Sequence, residues 1–114
     1  MSECLFCKIV SRTIPAALVY EDDVVVAFDD INPQAPTHTL VIPRKHVVSI
    51  AELQELDVGL LGHLMLACNK IAKLKGITDT GYRFVVNTGV HGGQSVFHLH
   101  LHVLGGRHMA WPPG

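Results

Sequence analysis

The chain has 114 residues, of which 48% are hydrophobic and 17% charged, with a formal net charge of −1. That leaves room for one hydrophobic core rather than two, and the balance is that of a globular protein, not a disordered one. With no basic run beyond Arg44-Lys45, charge-driven binding to nucleic acid or a membrane surface is disfavoured, and no stretch reaches the roughly 20 apolar residues that span a bilayer.

The opening MSECLFCKIVSR lacks the basic-then-apolar order of a signal peptide, so a cytoplasmic location is expected. Cys4–Arg12 reads as a short helical turn stopped by Ile14-Pro15. Three cysteines (Cys4, Cys7, Cys68) are too few, and odd in number, for a disulfide scaffold. A CxxC in a reducing compartment points instead to metal binding or redox work, or to two free thiols at a frayed terminus.

Leu18–Glu21 and Val24–Phe28 are β-rich runs split by Asp22-Asp23, a good hairpin turn. Asn32–Pro36 (NPQAP) is a rigid loop, because its two prolines forbid continued pairing. Thr37–Pro43 is a strand, and Ser49 with Glu52 resembles a capping box opening a short helical entry. Leu60, Leu61, Leu64, Met65, Cys68, Ile71 and Ala72 recur at helical spacing, predicting one long helix from Asp57 to Lys75. Gly76 is its natural stop. Met65 and Cys68 are expected in the core and His63 on the solvent side. Tyr82–Asn87 is a further strand, followed by a glycine-rich loop (TGVHGGQS) and a strand over Val96–Leu104. Five strands and one long helix give an α+β fold with an antiparallel meander, in one domain over residues 1–114.

The last strand reads FHLHLHVL. Period-two alternation puts His98, His100 and His102 on one face, roughly 6.5–7 Å apart, and Leu99, Leu101 and Val103 on the other, against the core. A half-exposed polar face would vary in residue type, so three histidines in register call for chemistry. HxH on a strand offers two ligands to a metal ion, and imidazole also serves as nucleophile and acid–base group near neutral pH. Gly92-Gly93-Gln94-Ser95, just before them, could bring backbone N–H groups close to an anion. Together the two features suggest a phosphate held against a nucleophile.

HLHLHVL resembles the H-φ-H-φ-H-φ-φ signature of the histidine-triad (HIT) superfamily. PQAPTH, GGQSVFHLHLHVLGGR and the terminal WPPG are similar to its Hint branch, the purine nucleoside phosphoramidate hydrolases, and the likeness runs from about Phe6 to Gly114. It implies a homodimer of two five-stranded sheets joined edge to edge, with a purine nucleotide site in each subunit. His100 would be the nucleophile, forming a nucleotidyl-histidine intermediate that water resolves. His102 would bond phosphate oxygens, Ser95 would stand near the leaving group, and His38 with the backbone around His98 would orient the nucleophilic ring. Asp30 would hold the ribose hydroxyls, and Phe6, Ile9, Ile14, Phe28, Ile31 and Leu40 would form the base slot. Asn87, Gly93 and Gln94 would touch the phosphate and leaving group. Trp111 would lie near the partner subunit's site. Asp29 departs from the branch, whose members often carry a non-acidic residue there; a second carboxylate beside the ribose would weaken nucleotide affinity or alter base preference.

The CxxC resembles that of zinc-bearing superfamily members, which implies Cys4, Cys7, His46 and His98 as ligands of one structural Zn²⁺, with no metal needed for the chemistry. Alternative activities are dinucleoside polyphosphate hydrolysis, nucleotidyl transfer, or non-catalytic nucleotide binding.

Overall fold

In the computed structural model, which describes residues 3–114, most runs of alternating or periodic hydrophobicity become the element their period predicts. Helix α1 (Leu5–Val10) starts at Cys4, whose Sγ accepts from the Cys7 N–H at 3.3 Å, so the first cysteine of the CxxC is also the helix cap. Strands β1 (Leu18–Glu21) and β2 (Val25–Asp29) form a hairpin. Its turn is held by Asp22 Oδ1, which accepts from the Val24 and Val25 N–H groups at 2.8 and 2.9 Å. Strand β3 (Thr37–Pro43) follows the proline loop. Two single 3₁₀ turns, Ile50–Glu52 and Glu55–Asp57, lead into helix α2 (Val58–Leu74). Ser49 caps the first of these turns through Ala51 N–H, whereas Glu52 reaches past it to the N–H of Val48. Strand β4 is Tyr82–Val86 and β5 is Leu101–Gly105.

All pairings are antiparallel, in the order β1-β2-β3-β5-β4. The meander runs from β1 to β3; the chain then crosses through α2 to β4 at the sheet edge, and β5 fills the slot between them. Strand parity divides the sheet into two faces. Val25, Ala27, Val41, Leu101 and Val103 pack with Leu64, Ala67, Cys68 and Ile71 of α2. Val26, Phe28, Leu40 and Ile42 pack with Phe6 and Ile9 of α1 on the opposite face. Among the described residues, no helix is long and apolar enough to cross a membrane.

Two local expectations are corrected, and a third, for the partly exposed His63, gains a partner. Met65 is 42% exposed, because the buried stripe of α2 runs through Leu64, Ala67, Cys68 and Ile71, and Ala67 takes the inward position beside it. His63 does not simply face water: its Nε2 lies 2.8 Å from Asp22 Oδ2, which ties α2 to the first hairpin. The histidine strand starts only at Leu101. Ahead of it, the Leu99 N–H bonds to the carbonyl of Val47 in the loop after β3, so this segment is held by a loop instead of a ladder. The side alternation nevertheless persists, since Leu99 joins the α2 core while the rings of His98 and His100 meet Phe6 on the other side.

Candidate active site and metal cluster

On the α1 face, a cavity of about 330 Å³ opens between α1, the ends of β2 and β3, and the segment before β5. Parity explains its lining: even-numbered Phe28, Asp30, Leu40, His100 and His102 face it, and α1 adds Phe6 and Ile9. Ile14 and Ile31 complete the apolar wall, with Ile31 fully exposed at the mouth, and Ser95 adds a hydroxyl. Leu5, Pro15, Ala16 and Val96 also line it, though neither motif nor resemblance singles them out. Val96 could have been found, being one further step of two before His98.

Hydrogen-bond partners assign the imidazole tautomers. The Nδ1 of His100 lies 2.8 Å from the carbonyl oxygen of His98. A carbonyl only accepts, so Nδ1 carries the proton and Nε2 keeps its lone pair. A longer chain decides His102. Backbone N–H of Gln34 donates to His38 Nδ1 at 3.0 Å, so the proton of neutral His38 is on Nε2, which donates to His102 Nδ1 at 2.8 Å. His102 then carries its proton on Nε2, an atom that is buried and without a partner among the described residues. Asp30 Oδ2 lies 3.5 Å from His38 Nε2, close enough for a charge interaction, while the hydrogen bond of that N–H goes to His102. The two triad rings, 5.0 Å apart between centroids, thus present one lone pair and one N–H donor at the same cavity.

Burial pushes the pKa of His38, His98 and His100 below the ordinary imidazole value. For His102, burial and then the neighbouring His100 and His38 lower it to about 4, against the pull of Asp30. The unfolded chain therefore takes up protons first, so folding stability is complete above about pH 6.5 and falls towards pH 4. The melting temperature should drop across that window, with a loss on the order of 1–2 kcal/mol. His102→Asn should flatten part of the drop; an identical pH profile for this variant would contradict the assignment.

His98 turns its ring the other way. Its Nε2–H donates to the carbonyl of Pro43 at 2.8 Å, leaving the Nδ1 lone pair facing Cys4 Sγ (3.4 Å), Cys7 Sγ (3.6 Å) and His46 Nδ1 (3.2 Å). Cys7 Sγ is 3.3 Å from His46 Nδ1. Four ligands at bond lengths of about 2.0–2.3 Å around a tetrahedral ion stand roughly 3.3–3.8 Å apart, so this cluster fits Zn²⁺ in donor type, number and spacing. A second cluster, Asp30, His38 and His102, also converges. It does not fit a metal: with Gln34 N–H on Nδ1, His38 would have to lose both ring protons to ligate through Nε2.

Other predicted site residues lie elsewhere. The N–H groups of Gly93 and Gln94 are used within their own loop, on the carbonyls of Val90 and Gly89. The buried Gln94 side chain bonds Gly89 N–H and the carbonyls of Val48 and Val96, so this loop is a folded brace rather than an open anion cradle. Asn87, past the end of β4, and Trp111, 81% exposed in the C-terminal segment, are outside the cavity wall.

The family model of the HIT domain matches residues 11–109. The chain belongs to the HIT family. It is 54% identical over 115 residues to an uncharacterised HIT-like protein of Synechococcus elongatus, covering 100% of both chains. Among solved structures, it is similar to a HIT family hydrolase from Legionella pneumophila (50% identity, TM-score 0.96, covering 98% of this chain and 100% of that one). It also resembles a histidine triad protein from Clostridium difficile (45% identity, TM-score 0.93, 96% of each chain).

Proposed function

We propose that this HIT protein is a hydrolase of the Hint branch that cleaves the P–N bond of purine nucleoside 5′-phosphoramidates. One observation carries the reading: a bare His100 Nε2 and a protonated His102 Nε2 face one cavity that has an apolar slot and, at its rim, Asp30. In the first step the Nε2 lone pair attacks phosphorus, the P–N bond breaks, and the amine leaves with the electron pair and takes up a proton. His102 Nε2–H bonds a phosphoryl oxygen as charge develops there, with its tautomer held by His38. His100 Nδ1–H stays on the carbonyl of His98, which stabilises the cationic nucleotidyl-imidazole. Water then attacks phosphorus, the P–N bond to His100 breaks, and a nucleoside monophosphate leaves. Ser95, in the cavity wall, would stand near the leaving group, and Asp30, an acceptor-only group, suits a vicinal diol.

Cys4, Cys7, His46 and His98 would hold one Zn²⁺, whose contribution is to cross-link α1 to the loop after β3 and the segment before β5. A homodimer through the β4 edge would join two such sheets, since β4 ends the strand order and its Val86 is exposed.

The test is release of amine from a fluorogenic adenosine 5′-phosphoramidate. Multiple turnovers, with diadenosine polyphosphates cleaved far more slowly, are expected. Binding of AMP without turnover of any of these substrates would reduce the protein to a nucleotide-binding module, and faster cleavage of the polyphosphates would move it to another branch.

A further inference from the structure

Asp29 and Asp30 are adjacent carboxylates, but strand parity sends them to opposite faces. Asp30 turns towards His38, whereas Asp29 meets Lys75, whose Nζ lies 3.0 Å from its carboxylate oxygens. Thr39, its register partner on β3, donates to the same carboxylate at 2.8 Å. Lys75 is the residue that closes α2, where the helix dipole favours a cation. Asp30 turns towards the cavity and Asp29 borders it with its carboxylate directed away to Lys75, and no lysine or arginine lines the wall among the described residues. An anionic ligand therefore enters a space whose fixed formal charges are carboxylates.

We propose that Lys75 is an affinity-determining residue of the nucleotide site, acting as the counter-charge that cancels Asp29 and leaves Asp30 as the single negative charge at the rim. The inference rests on the nucleotide reading above. It removes the conflict raised by Asp29 in the sequence: a second carboxylate beside the ribose is tolerated because α2 delivers a cation to it. Asp29 and Lys75 are both partly exposed, so solvent screens the effect to a modest size that depends on salt and on ligand charge.

Calorimetry with AMP, a dianion, and adenosine, its uncharged counterpart, separates this from a structural role. Lys75→Met should weaken AMP about fivefold at low ionic strength, an effect that shrinks as salt shortens the screening length, while adenosine affinity stays unchanged. Adding Asp29→Asn to Lys75→Met should restore AMP binding. Asp29→Asn alone should tighten AMP but not adenosine, which keeps the proposal open to refutation even if Lys75→Met does not fold. Equal weakening of both ligands, salt-independent weakening, or failure of the rescue would overturn the role of Lys75 alone. An unaltered chain that binds neither ligand would overturn the nucleotide reading and this inference with it.

Discussion

His100→Ala should lower turnover of an adenosine phosphoramidate by at least about a hundredfold, the scale of loss when a group that contacts the reacting centre is removed. The effect should fall on kcat, because the lost bond is the one formed to phosphorus. The apolar slot of Phe6, Ile9, Ile14, Phe28 and Leu40 is untouched, and so is Asp30, so AMP should still bind measurably. His100 also packs edge-on against Phe6, with ring centroids 5.1 Å apart, and truncation leaves a gap there. A melting curve is thus needed beside the kinetics. A folded variant that binds AMP yet retains more than about one hundredth of the rate would remove His100 from the role of nucleophile.

The second large effect concerns zinc. Protein purified without chelator should carry about one zinc per chain, and Cys4→Ser/Cys7→Ser should lose it. Both cysteines flank Phe6, whose ring meets Phe28 at 5.3 Å, His98 at 6.0 Å and His100 at 5.1 Å. His98 sends its ring to the cluster while its carbonyl oxygen holds the Nδ1–H of His100. Releasing the ion frees α1 and slackens both supports of the cavity, so the melting temperature should fall on the order of 10 °C or more and AMP binding should weaken. Turnover through His100 should persist at a reduced level. As-purified protein free of zinc, with the double variant melting at the same temperature, would defeat the metal assignment. Complete loss of turnover in a folded double variant would instead give the metal a part in the chemistry.

What the sequence by itself determined was periodic and local. The stripe from Leu64 to Ala72 defined α2, Asp22-Asp23 placed the first hairpin, and alternation in HLHLH put the imidazoles on one side and the leucines in the core, because side-chain direction follows directly from helix and strand geometry. Resemblance then drew the apolar slot, Asp30, Ser95 and the cysteine–histidine set from positions far apart in the chain, and the fold brings these together. Only the tertiary structure decided the rest, for it depends on partners distant in sequence. The β5 ladder stops short of His98 and His100 because Val47, about 50 residues earlier, takes the Leu99 N–H. Gln94 turns inward because Gly89, Val48 and Val96 satisfy its amide. Asp29 meets a cation because Lys75, 46 residues later at the end of α2, is brought against it. The proton positions on His38 and His102 follow from one backbone N–H at Gln34. A hydrogen bond between residues 64 apart, such as His38 to His102, has no period to betray it; the sheet must first bring β3 beside β5.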